Sequence, residues 1–201
     1  MRVSDAIVGR QRVRAFCPDK PVADDLIDDL LEIAGRAPSG SNIQPWQVYV
    51  VQGEHKARIT EACSARYLAG DEGNPEYFYY PQAWRDPYIG RRRETGFGLY
   101  GLLGIDRHDA PAVQAYRVLN YQFFGAPVAL FFTIDRDMEQ GSWVDYGMFL
   151  QSLMLAAREQ GLETCAQAAF CPYYDSVMPI LGAPSEQMLV CGMSIGYADS
   201  D

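Results

Sequence analysis

Three arginines at alternate positions, Arg10, Arg12 and Arg14, carry the strongest chemical signal in this sequence. In extended chain, side chains two residues apart point to one side. Three guanidiniums held on one side repel one another unless an anion or carboxylates neutralise them, and a phosphate accepts bidentate pairs from arginine. Two readings stay open from this segment alone: a cradle for an anionic ligand, or a solvated basic edge paired with the acidic helix that follows. A second segment, residues 37–46 (Ala-Pro-Ser-Gly-Ser-Asn-Ile-Gln-Pro-Trp), combines two prolines and a glycine with short polar side chains. Pro38 lacks an N–H donor and disfavours helix at Ala37. The amides and hydroxyls there lie close to the backbone, which suits the polar edge of a flat heterocycle or a phosphate. A capped turn explains Pro38, Ser39, Gly40, Ser41 and Asn42 equally well, but Gln44 lies beyond such a turn. Together the two segments point to a bound anionic cofactor.

Other chemistries find less support. The five cysteines (Cys17, Cys63, Cys165, Cys171, Cys191) are irregularly spaced, no C-x-x-C occurs, and the histidines are His55 and His108 alone. A structural zinc site is not expected from such spacing. No Gly-x-Ser-x-Gly marks a nucleophile, and no base is marked for Cys165 or Cys171. Asp145 is the one acid within an apolar stripe, where it could bond either nearby backbone or an arginine. Gly96-Phe97-Gly98-Leu99-Tyr100-Gly101 matches G-x-G-x-x-G by letter but follows Arg91-Arg92-Arg93-Glu94-Thr95 instead of a buried strand, so it is read as part of an aromatic, glycine-rich lid. The lack of evident acid–base machinery fits an enzyme whose cofactor does the chemistry.

The elements that must position these residues are legible in outline. A chain of 201 residues fits one domain over 1–201. Its 48% hydrophobic and 21% charged residues are compatible with a substantial core. A net charge of −9 argues against general nucleic-acid binding. No apolar run reaches the roughly 18 residues of a membrane span, and Met1–Ile7 carries no apolar leader. Free thiols, mostly buried, suit a reducing cytoplasm. Helical spacing predicts helices over 22–36, 54–69, 110–121, 142–160 and 173–181; β-rich runs predict strands over 46–51, 127–134, 163–168 and 188–195. Residues 70–108, dense in Tyr, Pro, Gly and Arg, hold no lasting period and read as an inserted lid. The 142–160 helix carries an apolar stripe of Trp143, Tyr146, Gly147, Leu150, Leu153, Met154 and Ala157, with Phe149 and Leu155 off it. That coverage predicts burial on more than one side, as in a central or dimer-spanning helix. The element order is α+β or α/β.

Taken together, Arg10–Phe16, Ala37–Trp46, Phe123-Phe124-Gly125-Ala126-Pro127-Val128, the run from Asp145 to Gln167, and Cys191–Asp199 resemble the FMN-dependent nitroreductase family, in that family's order and across nearly the whole chain. The resemblance implies a homodimer with a three-layer α+β fold, a central mostly antiparallel sheet flanked by helices, and two FMN sites at the subunit interface. It implies that Arg10, Arg12 and Arg14 with Gln11 hold the phosphate, ribityl chain and ring edge of FMN. Pro38, Ser39, Gly40, Ser41 and Asn42, with Gln44 nearby, would approach the flavin from the partner subunit. Gln167, Ala168 and Ala169 would line the other side of the ring and offer a backbone N–H toward N5. The implied activity passes hydride from NAD(P)H through the flavin to a nitroaromatic, quinone or similar acceptor, with no side chain named as catalytic. Tyr77, Phe78, Tyr79, Tyr80, Trp84 and Tyr88 of the lid would stack on an aromatic substrate or pack as a plain cover. Dehalogenation or flavin fragmentation on the same fold, a flavin-storage protein, and a phosphate-cradling module without flavin are the alternatives. The family usually continues past its Gly-Tyr-x-Asp segment to a further phosphate arginine; this sequence ends at Asp201.

Overall fold

Four antiparallel strands, in the spatial order β1-β2-β4-β3, organise residues 1–199, the portion described by this computed structural model. The expected continuation to a further phosphate arginine falls outside the described residues. The strands are β1 (Gln47–Val51), β2 (Val128–Asp135), β3 (Glu163–Gln167) and β4 (Gln187–Gly196). β2 is buried from Val128 to Ile134, because helices cover both faces of the sheet. Its side chains alternate between two cores. Val128, Leu130, Phe132 and Ile134 enter a core closed by α2 (Asp24–Ala34) and α6 (Gln140–Glu159). Ala129 and Phe131 enter the opposite core, with Ile59 and Cys63 of α3 (Gly53–Leu68) and Val177 of α7 (Tyr174–Leu181). The result is the expected three-layer α+β arrangement. On β4, Gly192 has a packing reason: a Cβ there would stand 2.9 Å from the Phe170 ring, which lies flush on the sheet.

The predicted helices and strands all form, with ends shifted by up to three residues. Two helices escape the sequence reading, α1 (Val3–Gly9) and α4 (Tyr88–Leu102), and α5 (Ala110–Val118) follows the second. α4 lies inside the supposedly aperiodic lid and contains Gly96–Gly101. None of its residues is buried. Helical periodicity in a sequence reports a buried stripe, so a helix without one leaves no pattern to read. Gly96, Gly98 and Gly101 face open space rather than a phosphate turn.

The buried face of α6 also differs from the expected stripe. Ser142, Asp145, Tyr146, Phe149, Leu153, Ala156 and Ala157 point inward. Phe149, expected off the stripe, is 2% exposed and stacks on Trp46 with ring centroids 4.9 Å apart. Val144 is 67% exposed, while the rest of α6 packs on α1 and α2 as well as on β3. Where both faces of a helix are apolar, period alone does not choose between them. Tyr146 anchors the helix to the sheet by donating to the carbonyl oxygens of Gln47 (2.9 Å) and Thr133 (3.0 Å).

Cys63, Cys165, Cys171 and Cys191 are buried and Cys17 is half-buried. Burial pushes the Cys63 thiol up to about 12 and the Cys171 thiol to about 11. Both therefore stay protonated well above neutrality, and an acid whose folded value is raised loses stability as pH climbs past its unfolded value. Titration of the native protein with Ellman's reagent at pH 8 is expected to modify Cys17 first, and the others only on unfolding. Two or more fast equivalents would contradict the burial.

Candidate functional site

The N-terminal arginines sit where the sheet ends. Arg12 pairs in a parallel bridge with Thr164 of β3, and Phe16 in an antiparallel bridge with Ala198. The segment thus runs along the sheet edge, held by backbone pairing rather than by its charges. The Arg12 Nε donates to Cys165 Sγ at 3.2 Å. Arg12 is exposed; Arg10 and Arg14 are half-buried. Among the described residues no ion pair neutralises any of the three. None of the carboxylates of α2 forms an ion pair with these arginines among the described residues. On α2, Asp24 instead accepts from the Gln52 amide at 2.9 Å.

Arg12 opens onto a cavity of about 650 Å³ whose walls include Tyr77, Phe78, Tyr79, Tyr80, Tyr121, Ala168 and Ala169. Tyr77, Tyr79 and Ala168 also line a second cavity of about 230 Å³, bounded on its far side by Trp143, Gly147 and Leu150 of α6. The structure therefore brings Arg12, Ala168 and Ala169 together at one cavity and Gln167 to the adjoining one.

Gln167 meets a ligand differently from a free amide. It is fully buried, its Nε2 donates to the Asn120 carbonyl at 2.6 Å, and its Oε1 accepts from Ser194 Oγ at 2.7 Å. Both ends of the side chain are used inside the protein, so only its backbone remains for a bound ring. Ala168 and Ala169 follow in the 3-10 turn Ala168–Tyr173, where small side chains allow a ring to approach the backbone.

Residues 38–44 form a separate, outward-facing feature. A 3-10 turn covers Gly40–Asn42. Ser41, Asn42 and Gln44 all adopt positive φ (50°, 58° and 49°), and all three are exposed. Left-handed backbone is costly for such residues, roughly 1 kcal/mol or more each, and persists only where surroundings impose it. Two bonds impose it here. Gln44 N–H donates to Ser39 Oγ at 3.0 Å, and Gly40 N–H donates to Asp145 Oδ2 at 2.9 Å. The question left by the sequence is thus answered: Asp145, 9% exposed, holds backbone and not an arginine. Neither Pro38 nor any other residue of this loop lines either cavity. Within one chain the loop and the arginines are not assembled into one site.

Two residues join the site without having been singled out. Asn120 receives the Gln167 amide, and Tyr116 of α5 lies within the field of Arg14 and Arg12. Burial raises the Tyr116 hydroxyl and the two arginines oppose that rise. Neither residue belongs to a motif; Asn120 follows α5 and meets the end of β3 through the Gln167 amide.

The donor set fits FMN. Unpaired guanidiniums suit its phosphate, the aromatic-walled cavity suits a flat ring, and Ala168 and Ala169 leave room beside the backbone.

The sequence model of the Nitroreductase family matches residues 7–197. The chain is 40% identical over 200 residues to the 4-nitrobenzoate reductase of Nocardioides sp. (strain LMS-CY), covering 98% of this chain and 81% of that protein. It is 41% identical over 199 residues to the nitrobenzene nitroreductase of Ectopseudomonas oleovorans, covering 98% and 87%. The crystal structure of the FMN and NADPH-dependent nitroreductase NfnB from Sphigopyxis sp. strain HMH superposes with a TM-score of 0.95 at 44% identity, covering 99% of this chain and 89% of that one.

Proposed function

This chain belongs to the nitroreductase family, and from that premise we propose that it is an FMN-dependent oxidoreductase that takes hydride from NAD(P)H and reduces nitroaromatic compounds. The observation that carries this reading is the unpaired Arg12 guanidinium at the mouth of an aromatic cavity that also exposes Ala168 and Ala169. Bound FMN supplies two-electron chemistry between the nicotinamide and the acceptor.

The protein's residues bind and orient. Arg10, Arg12 and Arg14 with Gln11 grip the phosphate and ribityl chain. The backbone at Gln167, Ala168 and Ala169 lies along one side of the ring. Tyr77–Tyr80 close over the cavity and exclude water. No side chain is assigned an acid–base role.

The site is completed by a second copy of the chain. Pro38, Ser39, Gly40, Ser41, Asn42 and Gln44 reach the partner's flavin from an exposed loop in which Ile43 is 48% exposed and whose anchor Asp145 follows Val144, 67% exposed. Unpartnered apolar side chains beside a rigidly held polar loop support an interface. The buried free thiols support a reducing, cytoplasmic location, and no helix among the described residues is long and apolar enough to cross a membrane.

Purified protein is expected to show flavin absorbance that NADPH bleaches under anaerobic conditions and nitrobenzene restores. Light scattering should give about twice the chain mass of 22.5 kDa. Flavin that binds but never bleaches would mean storage. Colourless protein after FMN supplementation would mean a phosphate module, and a monomer would remove the partner loop from the site.

A further inference from the structure

We infer that the cavity of about 230 Å³ between the lid and α6 is the acceptor ring's subsite, and that it selects neutral nitroarenes over nitroarenes bearing a carboxylate. This rests on the reading of the chain as an FMN-dependent nitroreductase and narrows its substrate class.

The size suits a single ring. A cavity of roughly 150 Å³ accepts benzene, so this one has room for a benzene ring with a nitro group and not for two rings. Its position suits it as well, because the backbone assigned to the flavin forms one of its walls. The chemistry of the lining makes the selection. No charged side chain lines it. Three polar side chains in the wall are committed elsewhere. The Tyr77 hydroxyl donates to the Val190 carbonyl, the Tyr146 hydroxyl to the carbonyls of Gln47 and Thr133, and Gln167 is bonded at both ends. That leaves the Trp143 indole N–H, the Tyr79 hydroxyl and the Cys191 thiol, neutral donors that suit nitro oxygens. Tyr77 and Trp143 pack against each other with ring centroids 4.8 Å apart and together form an aromatic wall of the cavity. A carboxylate entering this space loses its hydration and meets no cation in the lining. Arg12, whose charge reaches the Tyr79 hydroxyl, lines the adjoining cavity and not this one. The relatives include both a 4-nitrobenzoate reductase and a nitrobenzene nitroreductase at nearly equal identity, so similarity does not decide the point.

Three acceptors test it: nitrobenzene, 4-nitrobenzoate and methyl 4-nitrobenzoate, the last matching the acid in bulk without its charge. Each is titrated calorimetrically into the oxidised, flavin-loaded protein and separately assayed for kcat/KM with NADPH. Nitrobenzene and the ester are expected to bind and react within about fivefold of each other, with the acid weaker by about a hundredfold or more in both measurements. Leu150→Lys, placing an ammonium in the wall of the cavity, is expected to close that gap at least tenfold. Equal use of acid and ester overturns the inference. Rejection of the ester along with the acid also overturns it, since bulk would then be the filter. A flavin that NADPH does not bleach would strike the parent reading alone; the calorimetric arm would still separate acid from ester.

Discussion

Arg12→Ala combined with Arg14→Ala is expected to yield protein that loses FMN on dialysis, with a Kd raised by about a hundredfold. A hydrogen bond to a charged group contributes about 1.5–3 kcal/mol, or roughly 10–150-fold in Kd. Arg12 is exposed, so its share falls toward the lower end through solvent screening. Arg14 is half-buried, and its share is less screened. The fold should survive, because backbone pairing of Arg12 with Thr164 and Phe16 with Ala198 holds the segment. A far-UV spectrum and melting temperature close to wild type would show this. The effect should also shrink at high ionic strength, as an electrostatic contact does. Full flavin absorbance after dialysis of the double variant would remove the phosphate from this end of the chain.

Asp145→Ala is expected to loosen a loop 105 residues away in sequence. The carboxylate accepts the Gly40 N–H, and that bond helps to hold Ser41, Asn42 and Gln44 in left-handed backbone. Losing a charge-assisted bond costs about 1.5–3 kcal/mol. For a domain of this size that corresponds to a drop of roughly 3–12 °C in melting temperature. FMN affinity is expected to fall about tenfold, since the backbone geometry offered to the ring is no longer imposed. Asp145→Asn keeps an oxygen acceptor in the same place and should recover most of both losses. A core defect would lower the melting temperature without that pattern of rescue. If Asp145→Ala melts within 1 °C of wild type and retains its flavin, the loop is held by something else.

The sequence made the strands and the long helix legible because burial writes itself into composition. Val128–Phe132 is an unbroken apolar run, and Gly161, at φ 74°, closes the long helix α6. Three alternate arginines in an acidic chain pointed to an anionic ligand as one of two readings, the other being a solvated basic edge. Three things were not legible. α4 has no buried face, so it carries no period. α6 is apolar on both sides, so Phe149 was assigned to the wrong one. The internal commitments of Asp145 and Gln167 depend on contacts between elements far apart in the chain, with Gly40 for one and with Asn120 and Ser194 for the other. Propensity and spacing describe a neighbourhood along the chain; those partners meet only after the sheet has been assembled.

The helix over Tyr88–Leu102, which buries no residue and is tethered by contacts such as Arg117 with Tyr100, has a consequence of its own. Short helices with little tertiary support hover near half-melted in water, and four glycines at 90, 96, 98 and 101 push this one further. Its order in solution is therefore governed by whatever leans against it from outside, and its arginine-rich first turns become a gauge of occupancy. Trypsin should nick Arg91–Arg93 readily when nothing rests there and slowly when something does.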